Sequence, residues 1–278
     1  MVIDTHQHFW HYTTDEFGWI PDDMATIRRD FLPADLAPLL AANHVDGVIA
    51  VQARQTKAET RWLLGLADQN AFIHGVVGWL DLRSPDISSQ LDDYAGGALV
   101  GLRHVLQGEP DAFMEEADFN RGLVALADGN LVYDLLVVEK QLPAAIALVD
   151  RHPNLRFVVD HLGKPRIDID ELQPWQTHLR ELAKRSNVWC KISGGITEAA
   201  LDWTPARLRP YLDASLEGFG AGRLIFGSNW PVCEAAGGYG VWIEAVRSWA
   251  AALPQRERGA VFGGNAVEFY GSKGSNRR

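Results

Sequence analysis

The chain has 278 residues, 47% hydrophobic and 22% charged, with a net charge of −10. That composition is globular, and the acidic balance excludes the basic footprint of a nucleic-acid or anionic-membrane binder. Two cysteines, Cys190 and Cys233, exclude a disulfide framework, and no apolar run reaches the roughly 20 residues of a spanning helix. The N-terminus has no basic segment followed by an apolar stretch, so a cytoplasmic protein in a reducing compartment is expected.

Short apolar, β-branched runs recur along the chain. They occupy 2–4, 45–52, 72–80, 98–105, 131–138, 155–161, 188–193 and 223–228, and predict strands buried on both faces. Helical periodicity fills 34–43, 60–70, 120–130, 142–152, 172–186 and 205–219. Asn43, Asn70 and the pair Gly129-Asn130 stand where helix stops are expected. Eight strands alternating with helices predict right-handed βαβ units closed into a single α/β domain, a (β/α)8 TIM barrel over residues 1–270. The tail GSKGSNRR (271–278) is expected to be disordered.

Two stretches interrupt the alternation. Segment 9–33 is rich in aromatics and turn formers, is too long for a simple connection, and reads as a loop over the barrel mouth. Gly-Gly-Tyr-Gly (237–240) lacks a Walker lysine and a Rossmann context and reads as a loop. No Gly-x-Ser-x-Gly elbow is present, which argues against a serine hydrolase triad.

A barrel of this kind carries its chemistry at the C-terminal ends of its strands. The predicted ends bring His6 and His8, Gln52 and Arg54, Trp79, Arg103-His104, Tyr133-Asp134, Asp160-His161, Lys191 and Asn229-Trp230 into one ring. Alternate strand residues share a face, so His6 and His8 both point into the mouth. Neutral imidazoles there can bind a metal or donate hydrogen bonds to a carbonyl oxygen. Arg103 can hold an oxyanion or lactone oxygens. Gln52, Arg54, Tyr133 and Lys164 are candidate substrate contacts, and Trp79, Trp230 and Trp10 are candidate plates for a sugar ring. The other histidines, His44, His74, His152 and His178, read as structural or surface residues, with His11 set apart by its place in the long loop.

The stretches VIDTHQHFW (2–10), GLRHVLQGEPD (101–111), VVDHLGKP (158–165), CKISG (190–194) and IFGSNWPVC (225–233) together resemble the lactonase branch of the amidohydrolase superfamily. The resemblance implies a distorted barrel and hydrolysis of a carbonyl compound. It matches His6 and His8 to the first-strand pair and His161 to the later-strand histidine. These three would polarise the carbonyl or hold a single zinc; the cofactor is therefore none or one Zn. A second later-strand histidine and a bridging lysine or glutamate have no match, which argues against a two-metal site.

The main departure is Asn229, where the family often has a general-base aspartate. An amide cannot take up a proton near neutral pH. Asp134, His104 and His161 remain as candidate bases, or a metal-bound water acts as the nucleophile. The expected substrate is a small, neutral sugar lactone, an aldonolactone such as L-fuconolactone or L-rhamnonolactone, opened to its hydroxy acid after a dehydrogenase has made it. A dicarboxylate lactone would call for more strand-end arginines than Arg54 and Arg103. The rival readings are a zinc-dependent decarboxylase of the same superfamily and a non-catalytic barrel that binds a sugar acid. No nucleic-acid or membrane partner is expected, and the sequence leaves the oligomeric state open.

Overall fold

The computed structural model describes residues 1–199 and 203–271. Eight parallel strands form one sheet in chain order: β1 (Ile3–Gln7), β2 (Gly47–Val51), β3 (Ile73–Gly78), β4 (Leu99–His104), β5 (Val132–Leu135), β6 (Phe157–Val159), β7 (Val188–Ile192) and β8 (Leu224–Phe226). The sheet closes on itself. His8 N donates to Trp230 O at 2.7 Å, and Asn229 N donates to His6 O at 2.7 Å. The expected (β/α)8 barrel is present. β1 extends beyond its predicted run, to Gln7, and the other seven strands are shorter than theirs, with the C-terminal run ends leaving the sheet at the mouth.

The intervening helices are α1 (Pro33–Ala42), α2 (Lys57–Gln69), α3 (Ile87–Asp92), α4 (Ala117–Asp128), α5 (Leu142–Arg151), α6 (Trp175–Ala183), α7 (Gly195–Glu198), α8 (Pro205–Phe219), α9 (Tyr239–Ala250), α10 (Gln255–Gly259) and α11 (Asn265–Tyr270). Local chemistry sets several ends. Thr56 and Thr204 cap α2 and α8, their hydroxyls each accepting a backbone N–H at 3.2 Å, and Pro205 fills the first turn of α8. Asn43, Asn70 and Gly129 stand at the C-caps of α1, α2 and α4.

Five helices were not expected from periodicity. Four of them, α3, α7, α10 and α11, are under two turns long and carry too few positions for a period to show. The fifth corrects the reading of 237–240 as a loop. Gly237 and Gly238 turn the chain at φ 123° and 97°, and buried Tyr239 starts α9.

Two apolar layers hold the barrel. The larger lies between strands and helices. The smaller fills the barrel interior with Ile3, Ile49, Val51, Val77, Val132, Val158 and Ile225, sealed by Phe269 and Tyr270 of α11. Each such side chain taken from water stabilises by about 2 kcal/mol. Segment 9–33 folds back on itself through a Trp10–Phe31 bridge, buries Phe9, Trp10, Phe17, Ile20, Ile27 and Phe31, and sends other residues to the mouth. Cys190 and Cys233 are buried and unpaired. Among the described residues no helix is long and apolar enough to cross a membrane. The tail expected at 271–278 lies outside them beyond Gly271.

Candidate active site

A pocket of about 820 Å³ opens at the C-terminal ends of the strands. Its buried part is formed by His8, Arg103, His161 and Asn229, and its outer part by Arg54, Lys164, Thr197 and Glu198, with Glu16, Trp19 and Met24 from segment 9–33. Arg54 pairs with Glu16, and Lys164 pairs with Glu198 at 3.0 Å.

Beneath the pocket lies a buried charged layer. Arg103 Nη1 donates to Asp160 Oδ2 and lies equally close, 3.1 Å, to His6 Nε2. Lys191 Nζ lies 3.1 Å from Asp160 Oδ1 and 3.2 Å from His6 Nδ1, and pairs with Asp134. Tyr270 donates its hydroxyl to Asp134 Oδ1 at 3.0 Å. Two carboxylates face two cations, so the layer is electrically balanced, as burial demands. Burial would raise the Asp160 carboxyl, but Lys191, His6 and Arg103 outweigh it and hold the group well below the usual carboxylate range. Burial pushes Asp134 up to about 6, against the pull of Lys191.

The histidines are neutral. Burial, with the Arg103 charge beside it, pulls His8 down to about 3. Burial likewise holds His6 and His161 well below the usual imidazole range. His8 Nδ1 sits 2.8 Å from the Val51 carbonyl, and His161 Nδ1 sits 2.8 Å from Ser193 Oγ. The backbone is left-handed through His161, Leu162, Gly163 and Lys164, and again at Asn229. Left-handed non-glycine residues cost roughly 1 kcal/mol each, and such strain gathers at functional sites. Gly194 is required at this place: a Cβ there would lie 2.7 Å from His161 Nδ1.

The structure brings His8, Arg103, His161, Asn229, Arg54 and Lys164 to the pocket. Other expected site residues lie elsewhere. Asp134 is wholly buried below it, and Tyr133, which alternates with Asp134, is wholly buried in the layer between strands and helices against Phe119 and Phe157. His104 points out of the barrel because it alternates with Arg103; it stacks on Phe113 and contacts Trp79 Nε1 and Glu109. Gln52 buttresses Arg103, donating to its carbonyl and accepting from Nη2. Trp79 and Trp230 do not line the pocket, and Trp230 is core, edge-on to Phe9 and Phe31. Sequence reasoning missed Trp19, a half-exposed aromatic on the pocket wall, and the part played by Asp160. The pairing of Asp160 with His161 at a strand end was the available signal.

The amidohydrolase family model matches residues 3–272. The chain belongs to the amidohydrolase family. It is 43% identical over 96% of its length to L-fucono-1,5-lactonase of Burkholderia multivorans, covering 95% of that protein. It is 38% identical, over 96% of its length and 94% of the relative's, to L-fucono-1,5-lactonase of Burkholderia ambifaria. A crystal structure of an amidohydrolase from Burkholderia multivorans with bound zinc superposes with a TM-score of 0.94 at 42% identity, covering 98% of this chain and 99% of that one.

Amidohydrolases raise the question of a metal. His6, Asp160 and His161 each place a potential ligand atom within 4.8 Å of the others, so Asp160 takes the place expected for His8 in the set. The donor chemistry argues against a divalent ion in this arrangement. Arg103 and Lys191 lie within 3.2 Å of the two His6 nitrogens, of which a neutral ring accepts at one, and both pair with the Asp160 carboxylate, whose Oδ1 has an ion-pair contact but no hydrogen bond. A further double charge would leave the balanced layer uncompensated.

Proposed function

We propose that this protein is a lactonase that opens a small, neutral sugar lactone to its hydroxy acid, with L-fuconolactone as the first candidate and L-rhamnonolactone as the second. The supporting observation is full-length identity of 43% to an L-fucono-1,5-lactonase, together with a buried pocket wall of neutral imidazoles and one guanidinium. In this reading residues 1–270 form one catalytic unit. Its free, buried thiols suit a reducing compartment such as the cytoplasm.

Arg103 and a pocket imidazole gather donors where the tetrahedral oxyanion develops, and those donors strengthen in a pocket shielded from water. Asn229 orients the attacking water without taking its proton. Asp134 and His104, two of the candidate bases, have no access to the pocket, which leaves the pocket histidines. The resemblance allows one zinc, which the two buried cations beside His6 and Asp160 do not fit. Trp19 offers a flat apolar face to the sugar ring, with Glu16, Arg54, Lys164 and Glu198 available to its hydroxyls.

Acid release from a panel of aldonolactones, followed with a pH indicator, tests the reading. Turnover of L-fuconolactone or L-rhamnonolactone is expected. A protein that leaves every lactone intact is not a lactonase.

A further inference from the structure

Hydrogen-bond accounting separates the two pocket histidines. A carbonyl oxygen only accepts, so the 2.8 Å contact to Val51 O puts the His8 proton on Nδ1 and leaves Nε2 with a bare lone pair. The partner of His161 is a hydroxyl, which can do either. Ser193 Oγ already takes the His161 backbone N–H at 3.3 Å. Ser193 is wholly buried, and among the described residues its hydroxyl proton has one acceptor, His161 Nδ1. A buried hydroxyl proton without an acceptor is costly. Ser193 therefore donates to Nδ1, and the His161 proton sits on Nε2. Neither Nε2 has a partner among the described residues, and both rings line the pocket. His6 does not line the pocket, and both its nitrogens face the buried cations below it.

We infer that His8 and His161 are locked in opposite tautomers: His161 presents an N–H to the lactone carbonyl, His8 presents the lone pair that takes the water proton, and Ser193 is the positioning residue that fixes the difference. The assignment of roles rests on the lactonase reading. The water oxygen forms a bond to the carbonyl carbon as its proton passes to His8 Nε2. The carbonyl electron pair moves onto its oxygen, where His161 Nε2–H and Arg103 hold it. When that pair returns, the bond from carbon to the ring oxygen breaks, and the leaving oxygen takes the proton back from His8. Atoms and charge balance, and the product is the hydroxy acid. This division of labour supplies a base where Asn229 cannot be one.

The test is nitrogen-15 NMR of the full-length protein labelled at histidine, with His8→Gln and His161→Gln used to assign the signals. His8 should show a protonated Nδ1 and His161 a protonated Nε2. The same tautomer at both rings, or a proton on His161 Nδ1, overturns the inference whether or not any lactone is turned over. Kinetics add a second reading. Ser193→Ala should lower kcat by at least about tenfold, with KM little changed, because the misaimed donor acts chiefly in the transition state. Ser193→Thr, which keeps the hydroxyl, should recover most of that loss. A folded Ser193→Ala protein with unchanged kcat overturns the role given to Ser193. Correct tautomers in a protein that hydrolyses no lactone would leave the geometry standing and remove the lactonase reading instead.

Discussion

The Arg103 guanidinium and the Asp160 carboxylate meet at 3.1 Å inside the barrel, both almost fully buried. Neither would be tolerable alone. Together with Lys191 and Asp134 they form a neutral layer on which the pocket rests, and Arg103 is the member that also reaches the pocket.

Removing Arg103 should therefore cost both stability and rate. Arg103→Met leaves Asp160 short of a cation, and breaking a buried pair in this way costs about 3–5 kcal/mol. It also removes a donor from the developing oxyanion, worth a factor of roughly 100 to 1000 in kcat. Arg103→Lys keeps the charge but loses the fork that spans His6, Asp160 and Gln52 O, so it should recover stability better than rate. Thermal melts beside steady-state kinetics on the three proteins check this. A rate for Arg103→Met within threefold of the parent would take Arg103 out of the reaction.

Chelation should leave lactone hydrolysis unchanged, because two resident cations, Arg103 and Lys191, already neutralise Asp160 and crowd the His6 ring. The measurement is initial rate before and after dialysis against a strong chelator, then with added zinc. Activity lost to the chelator and restored by zinc would show that the charged layer rearranges around an ion.

Trp19 is 49% exposed and lines the pocket, whereas Trp230 is 1% exposed and packs in the core. Trp19→Ala should raise KM about tenfold through lost stacking, with kcat and melting temperature nearly unchanged. Trp230→Ala should instead destabilise by about 3–5 kcal/mol. Equal effects of the two substitutions on KM would place the sugar elsewhere.

Glu59 gives a pH signature. Burial raises its carboxyl to about 7 from an ordinary value of 4.5, even though it accepts the Ala53 and Arg54 N–H groups. In that window the folded protein holds the proton more tightly than the unfolded chain, so this group's contribution to stability falls as pH rises from about 4.5 to 7. Glu59→Gln lacks that loss. The melting temperature of the variant relative to the parent should thus be higher at pH 8 than at pH 5. A constant difference across that range would show that Glu59 ionises normally in the fold.

The barrel was legible in the sequence because its signals are local. Eight apolar runs mark strands buried on both faces, and Asn43, Asn70 and Gly129 mark helix ends through backbone hydrogen bonds within a few residues. The His6 and His8 pair, Arg103 and His161 could be placed at strand ends for the same reason. Period-two alternation, carried past the end of β6, would set Asp160 and His161 on opposite faces, yet both join the interior cluster. The left-handed turn at His161 makes this possible, and it depends on Gly194, just beyond the end of β7, leaving room for the ring. Alternation does hold in β4, where it sends His104 outward while Arg103 points in. Only tertiary structure decided that Lys191 and Asp134 neutralise the layer under the pocket, that Trp19 rather than Trp79 or Trp230 reaches the pocket, and that Ser193 meets His161. Each is a contact between residues at least 32 positions apart or a choice among chemically similar side chains. No local pattern encodes it, because electrostatic balance and packing are settled only when the strands have closed.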